Sequence, residues 1–313
     1  MGKPNQPPAI FVMGPTAAGK TELALELATR LPVDVISVDS ALVYRGMDIG
    51  TAKPEPEVLQ HVPHALVDIC EPEEIYSAAN FRKDALQLMR GSIQKGRVPL
   101  LVGGTMLYFR ALEHGLSELP ASDAATRARL QQRLQQQGSE KLYAELQQLD
   151  PIAAQRIHVN DPQRLLRALE VIEISGKPLS ELQRQPGEKL DFQVIKLVRS
   201  PRERSVLHQR IAQRFEQMLQ QGFEQEVQCL MNRPGFSSDL PSMRAVGYRQ
   251  MIAYLQGHCS KDEMREKGII ATRQLAKRQF TWLRKEESAN WFYDDQQDYL
   301  DRMLKLIDLK GFS

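Results

Sequence analysis

The stretch IFVMGPTAAGKTELALELA, residues 10–28, contains the outline of the fold. Ile10, Phe11, Val12 and Met13 form an apolar run of buried-strand type, and Leu23, Ala24, Leu27, Ala28 and Leu31 then recur at helical spacing. Between them lies Gly14, Pro15, Thr16, Ala17, Ala18, Gly19, Lys20, Thr21, which has the pattern G-x-x-x-x-G-K-[ST]. Glycines there let successive N–H groups turn inward on a polyphosphate at the positive end of the following helix. Lys20 adds a point charge, and the Thr21 hydroxyl is placed to ligate Mg²⁺. The segment is read as strand, phosphate loop and helix.

Four more apolar runs, at residues 33–38, 64–69, 98–103 and 193–198, give five expected strands with helical patterns between most of them, notably over residues 78–95. This alternation predicts an α/β fold: a P-loop-type doubly wound parallel sheet. Residues 115–187 break the rhythm. They are rich in Gln, Arg and Leu and carry no strand signal, so they are expected to form an inserted helical domain within a core of residues 1–114 and 188–313. Ser122 or Asp123 is a natural N-cap, Asp161 with Pro162 opens a helix that closes at Gly176, and Leu130, Leu134, Leu142 and Leu146 keep an apolar stripe. The last third is helical again. Its residues 273–285 set Arg273, Lys277, Arg278, Arg284 and Lys285 on one arc, opposite Leu275, Ala276, Phe280, Trp282 and Leu283.

At 313 residues the chain is long enough for a large core plus a second small unit, and its net charge of +2 means that any nucleic-acid surface must come from local clustering of basic side chains. Three scattered cysteines, Cys70, Cys229 and Cys259, without C-x-x-C or H-E-x-x-H, argue against a disulfide framework or structural zinc. No long apolar segment and no leader-like N-terminus are seen, and Gln6 departs from the myristoylation pattern, so the expectation is a soluble cytoplasmic protein with no membrane contact. Whose phosphates the loop holds is left open by these residues. Asp39 and Asp68 each end an apolar run and are candidates for a second Mg²⁺ site; a nucleotide kinase or an RNA-binding ATPase would use the same nucleotide-binding loop, although no GTPase base-specificity motif is present.

Six blocks narrow the choice: GPTAAGKT (14–21), SVDSALVYRGMDIGTAKP (37–54), LLVGGTMLYFRAL (100–112), NDPQRLLRALEV (160–171), LPSMRAVGYRQM (240–251) and ATRQLAKRQFTWLR (271–284). Together they closely resemble the bacterial tRNA dimethylallyltransferases, or tRNA isopentenyltransferases, over residues 10–291. The resemblance implies a prenyltransferase that moves a dimethylallyl group from dimethylallyl diphosphate to N6 of the adenosine 3′ of the anticodon, in tRNAs reading codons that begin with U. It further implies that the loop holds a prenyl diphosphate rather than ATP, with Mg²⁺, and that the enzyme is a monomer without a protein partner. The runner-up stays a nucleotide or small-molecule kinase, and a relative acting on free adenine nucleotides is a second enzyme alternative. By the same resemblance Asp39 is the base, Arg214 neutralises the departing diphosphate and Thr105 helps hold the base or the donor. The implied tRNA contacts are Asp39, Ser40, Ala41, Leu42 and Thr105, with Arg127, Gln163, Arg164, Leu165, Leu166 and Arg167 in the insertion as the anticodon-arm site. Arg244, Ala245, Val246, Gly247, Tyr248 and Arg249 follow, then Lys277, Arg278, Gln279, Phe280, Thr281, Trp282, Leu283 and Arg284.

Overall fold

Five all-apolar or nearly apolar strands can be buried on both faces only if helices cover both sides of a parallel sheet. The computed structural model, which describes residues 6–185, 187–309 and 311, shows that arrangement. The strands are β1 (Pro8–Met13), β2 (Val33–Val38), β3 (His64–Ala65), β4 (Val98–Gly103), β5 (Gln193–Ser200) and β6 (Ala289–Tyr293). They lie in the order β3-β2-β4-β1-β5-β6, every pair parallel. The helices are α1 (Lys20–Arg30), α2 (Pro56–His61), α3 (Ala78–Gln94), α4 (Met106–His114), α5 (Ala124–Leu149), α6 (Pro151–Ala154), α7 (Pro162–Ser175), α8 (Leu179–Leu182), α9 (Arg204–Gln220), α10 (Phe223–Met231), α11 (Tyr248–Leu255), α12 (Lys261–Leu283) and α13 (Tyr299–Leu309).

Two corrections to the sequence reading concern the sheet edges. The third strand pairs only at His64 and Ala65, because Leu66 and Asp68 take positive φ (65° and 54°) and turn the chain out of the ladder. The sixth strand was missed: ANWFY follows a charged turn and shows little alternation, yet its register from Lys196↔Ala289 to Ser200↔Tyr293 closes the β5 edge. On one face α1 and α13 pack over Ile10, Val12, Leu100, Leu197 and Phe292. The other face carries Phe11, whose ring lies 5.1 Å from that of Phe109 in α4.

Local signals account for the helix ends. Ser77 and Asn80 form a reciprocal capping box at α3, as do Ser260 and Glu263 at α12. A separate core joins α9, α10, α11 and α12 to the loop after β2 through Val43, Tyr44, Met47, Phe215, Phe223 and Tyr248.

The chain divides into two compact units, Met1–Leu112 with Asp191–Ser313, and Glu113–Leu190. In the second, Asp123 caps α5, while α7 starts at Asp161 and Pro162 and ends at left-handed Gly176. Gly138, at φ 79° and ψ 164°, breaks α5. Arg133 is ion-paired with Glu145 across the break, although residues twelve apart on a straight helix stand about 18 Å apart, so the two halves fold back as a hairpin. The ends of this unit lie side by side, with Leu190 N donating to Glu113 O at 3.0 Å. Residues 1–5, part of the stretch read for a leader, lie outside the described residues.

Candidate active site

The phosphate loop leaves β1 in the middle of the sheet. A Cβ on Gly14 would stand 2.3 Å from Arg199 O of β5, so only glycine fits there. Gly19, at φ 74°, opens α1, and Ala17 also takes a left-handed conformation. Lys20 curls back so that Nζ donates to Pro15 O at 2.7 Å. Burial pulls its pKa down to about 8; Asp39 opposes that shift, and Arg214 adds to it.

The carboxyl ends of β2 and β4 supply the opposite wall. Asp39 Oδ1 accepts from Ala41 N at 2.8 Å and from Leu42 N at 3.4 Å, which fixes the turn and leaves Oδ2 without a hydrogen bond among the described residues. Thr105 Oγ1 accepts from Ser40 N at 3.1 Å, and Thr105 N donates to Val38 O at 3.2 Å. Arg214 reaches in from α9. Its Nη2 donates to Thr51 O at 3.1 Å, and burial lowers its pKa while Asp39 and Glu22 support its charge. Lys20, Asp39, Thr105 and Arg214 line one cavity of about 660 Å³, whose apolar wall includes Met106, Leu107, Phe215, Met218 and Trp282.

The loop that carries Thr51 is held by a device with no signature in the sequence. The Glu226 carboxylate accepts from Asp48 N, Ile49 N, Gly50 N and the Tyr248 hydroxyl at 2.6–3.1 Å. Thr21 and Ser37 both line the cavity, and Ser37 Oγ is buried without a partner; among the described residues no cluster of three or more His, Cys, Asp or Glu side chains is placed to hold a metal ion, so Thr21 is the expected metal ligand that the cavity offers. Asp68 does not belong to that site, since its carboxylate is ion-paired with Lys53, which also holds Asp48 and donates to Tyr44 O at 2.9 Å.

A comparison with known families matches residues 42–286 to IPP transferase. The chain belongs to the IPP transferase family. Among solved structures it is similar to the full-length tRNA isopentenylpyrophosphate transferase of Bacillus halodurans, at 35% identity and TM-score 0.70, covering 98% of this chain and 96% of that one. The tRNA delta(2)-isopentenylpyrophosphate transferase of Staphylococcus epidermidis is 33% identical with TM-score 0.68, covering 97% and 100%. A eukaryotic dimethylallyltransferase described as acting on tRNA shares the fold, with TM-score 0.81 at 24% identity over 97% of this chain and 79% of that one. As an IPP transferase the chain is a transferase, and no helix among its described residues is long and apolar enough to cross a membrane.

For an IPP transferase the structure also sorts the expected tRNA contacts, and several cannot serve. Leu165 and Leu166 are core of the second unit, and Tyr248 and Leu283 are fully buried in the first, so their side chains have no surface to offer. Gln279 is spent internally: its Oε1 accepts from Thr16 N and its Nε2 donates to Gly104 O, both at 2.9 Å. Arg167 donates to Pro120 O at 2.7 Å and pairs with the buried Glu170, which Arg127 also approaches at 3.7 Å; a clamp of Arg164 with Arg167 is therefore not available. Arg273 of the basic arc is half-buried. Gln163, Arg164, Arg244, Arg249, Lys277, Arg278, Thr281 and Arg284 remain exposed, although Arg244 pairs with Asp239 at 3.1 Å. Ala18 is buried and gives the cradle only its backbone.

Lys20 carries a pH prediction. Below about pH 8 it is charged before ligand arrives; above that value a proton must be taken up on binding an anion, so affinity falls with rising pH. Titration of dimethylallyl diphosphate without tRNA is expected to show a Kd rising by up to about tenfold per pH unit above 8, the limit for uptake of one proton. A flat profile from pH 7 to 9 shows that Lys20 takes up no proton on binding in that range and overturns this prediction.

Proposed function

We propose that the protein transfers the dimethylallyl group of dimethylallyl diphosphate to N6 of the adenosine adjacent to the anticodon on its 3′ side, in tRNAs reading codons that begin with U. The observation that carries this reading is the meeting, in one cavity, of a phosphate cradle with two cations and a carboxylate that has a free oxygen. An adenine N6 amine is a poor nucleophile because its lone pair is delocalised into the ring. As the N6–C1 bond forms, Asp39 takes the N6 proton and the C1–O electron pair leaves with the diphosphate. Loop N–H groups, Lys20 and Arg214 hold that developing charge. Mg²⁺ bound at Thr21 would supply further neutralisation of the diphosphate. The apolar wall of Met106, Phe215, Met218 and Trp282 suits a five-carbon tail and keeps water from the reacting carbon.

The acceptor lies in a single-stranded loop, so drawing it out costs only a few kcal/mol. The exposed cations Lys277 and Arg278 on α12 and Arg284 at its C-cap, with Arg244 and Arg249, are the proposed backbone contacts, and Gln163 with Arg164 in the second unit meets the anticodon arm. Incubation with unmodified tRNA, dimethylallyl diphosphate and Mg²⁺, without ATP, followed by nucleoside mass analysis, tests the reading. Prenylated adenosine next to the anticodon is expected. Absence of transfer, or a requirement for ATP, favours a kinase instead. If the α12 cations meet phosphates, changing Lys277 and Arg278 together to Ala flattens the slope of log affinity against log salt by about 1 to 2 units. Weaker binding at an unchanged slope assigns the pair to folding.

A further inference from the structure

The phosphate loop is not held by regular structure over Thr16, which sits beside left-handed Ala17 and three residues before left-handed Gly19. A side-chain tie at that point comes from 263 residues away: Thr16 N donates to Gln279 Oε1 at 2.9 Å. The other end of the same buried amide donates to Gly104 O at 2.9 Å. A Cβ on Gly104 would stand 2.4 Å from Gln279 Nε2 and 3.2 Å from Gly14 O, so the two turns approach closely where this carboxamide bridges them. Gly104 leads into Thr105, whose hydroxyl takes the Ser40 amide proton in the turn that Asp39 caps.

We propose that Gln279 is a positioning residue, which sets the separation between the diphosphate cradle and the Asp39–Thr105 side of the cavity by bridging the Thr16 amide to the Gly104 carbonyl. Both ends of the amide are needed: an acceptor toward Thr16 and a donor toward Gly104, a combination that Gln supplies and Glu does not. The inference deepens the prenyl-transfer reading and rests on it only for the rate measurement. Displacement at carbon needs the leaving oxygen and the incoming nitrogen in line, and a misplacement of about 1 Å costs on the order of 10²-fold in rate.

Gln279→Met keeps length and volume and removes both hydrogen bonds, and Gln279→Glu keeps the acceptor, loses the donor and adds a charge beside the cradle. Both variants are expected to lose about 10²-fold in single-turnover rate at saturating substrates. The Kd for inorganic diphosphate is expected to rise severalfold, more for Glu than for Met, while tRNA Kd stays within twofold and Tm within a few degrees. In the unliganded wild type the Thr16 amide is expected to exchange with solvent slowly. Wild-type rate and diphosphate affinity in the Met variant overturn the proposal, as does a rate loss that follows a large fall in Tm with diphosphate affinity intact. If the Met variant does not fold, the Glu variant and Thr16 exchange decide: fast exchange in the wild type overturns it. Diphosphate binding and amide exchange need no transfer reaction, so a failure of the functional reading leaves these two readouts standing, whereas active wild type with an unaffected Gln279→Met sinks this inference alone.

Discussion

Asp39→Asn is expected to lower the single-turnover rate by about 10² to 10⁴-fold while leaving dimethylallyl diphosphate binding nearly unchanged at pH 7. The structure makes this a clean substitution. Asn keeps an oxygen that accepts from Ala41 N, so the turn after β2 survives, and what is lost is the capacity of the outer oxygen to take a proton. One side effect has a known sign. Asp39 supports the charge on Lys20, so its neutralisation moves the Lys20 pKa further below about 8 and weakens donor binding as the pH approaches that value. Rates and donor Kd measured together at pH 7 across an Mg²⁺ series separate the two roles. A near-normal rate at high Mg²⁺ assigns Asp39 to the metal and removes it as the base.

Arg214→Met is expected to cost about 10² to 10³-fold in the same single-turnover rate, the usual effect of deleting one donor aimed at developing charge. Charge grows on the departing diphosphate as the C–O bond breaks, so a cation held against it in a buried wall is worth more in the transition state than in the ground state. Donor Kd should therefore rise by much less than the rate falls. Arg214→Lys retains the charge but loses the fork that bonds Thr51 O while facing the cavity, and is expected to recover only part of the loss. A rate within threefold of wild type for the Met variant, at saturating donor, would show that Arg214 only anchors the Thr51 loop.

The centre of the fold was legible because its signals are local. Residues 10–28 announce strand, loop and helix from apolar runs and two glycines, and the caps at Asp123, Asp161 and Gly176 lie where side-chain chemistry puts them. The edges were not. β6 is a strand because β5 offers it a partner, and the sequence ANWFY holds no record of that partner. The site divides in the same way. Lys20, Asp39, Thr105 and Arg214 meet in one cavity, whereas the resemblance by blocks carried along neighbours such as Leu165, Tyr248 and Leu283 that serve the core between functional positions. Glu226, and the bridging role of Gln279, which was expected only as a tRNA contact, were illegible for a further reason. Each acts on backbone N–H groups far away in the chain, and a backbone amide has no letter in the sequence.

The strand order also has a consequence for the protein as it is made. Residues 8–103 supply β1 through β4, so when they leave the ribosome β1 is an outermost strand, its far side bare until β5 arrives. Translation of the intervening unit, Glu113–Leu190, takes roughly 4 to 16 s at about 5–20 residues per second. For that interval the nascent chain presents an apolar, unpaired edge of the kind that recruits other strands. Gly14 has not yet met Arg199, so the loop cannot settle against its final support. β6, at Ala289–Tyr293, arrives only after α9 to α12 have been made, and then closes the outer side of β5. A chain stopped before that point leaves β5 exposed as the next sticky edge, which makes late truncation more damaging than its distance from the phosphate loop suggests.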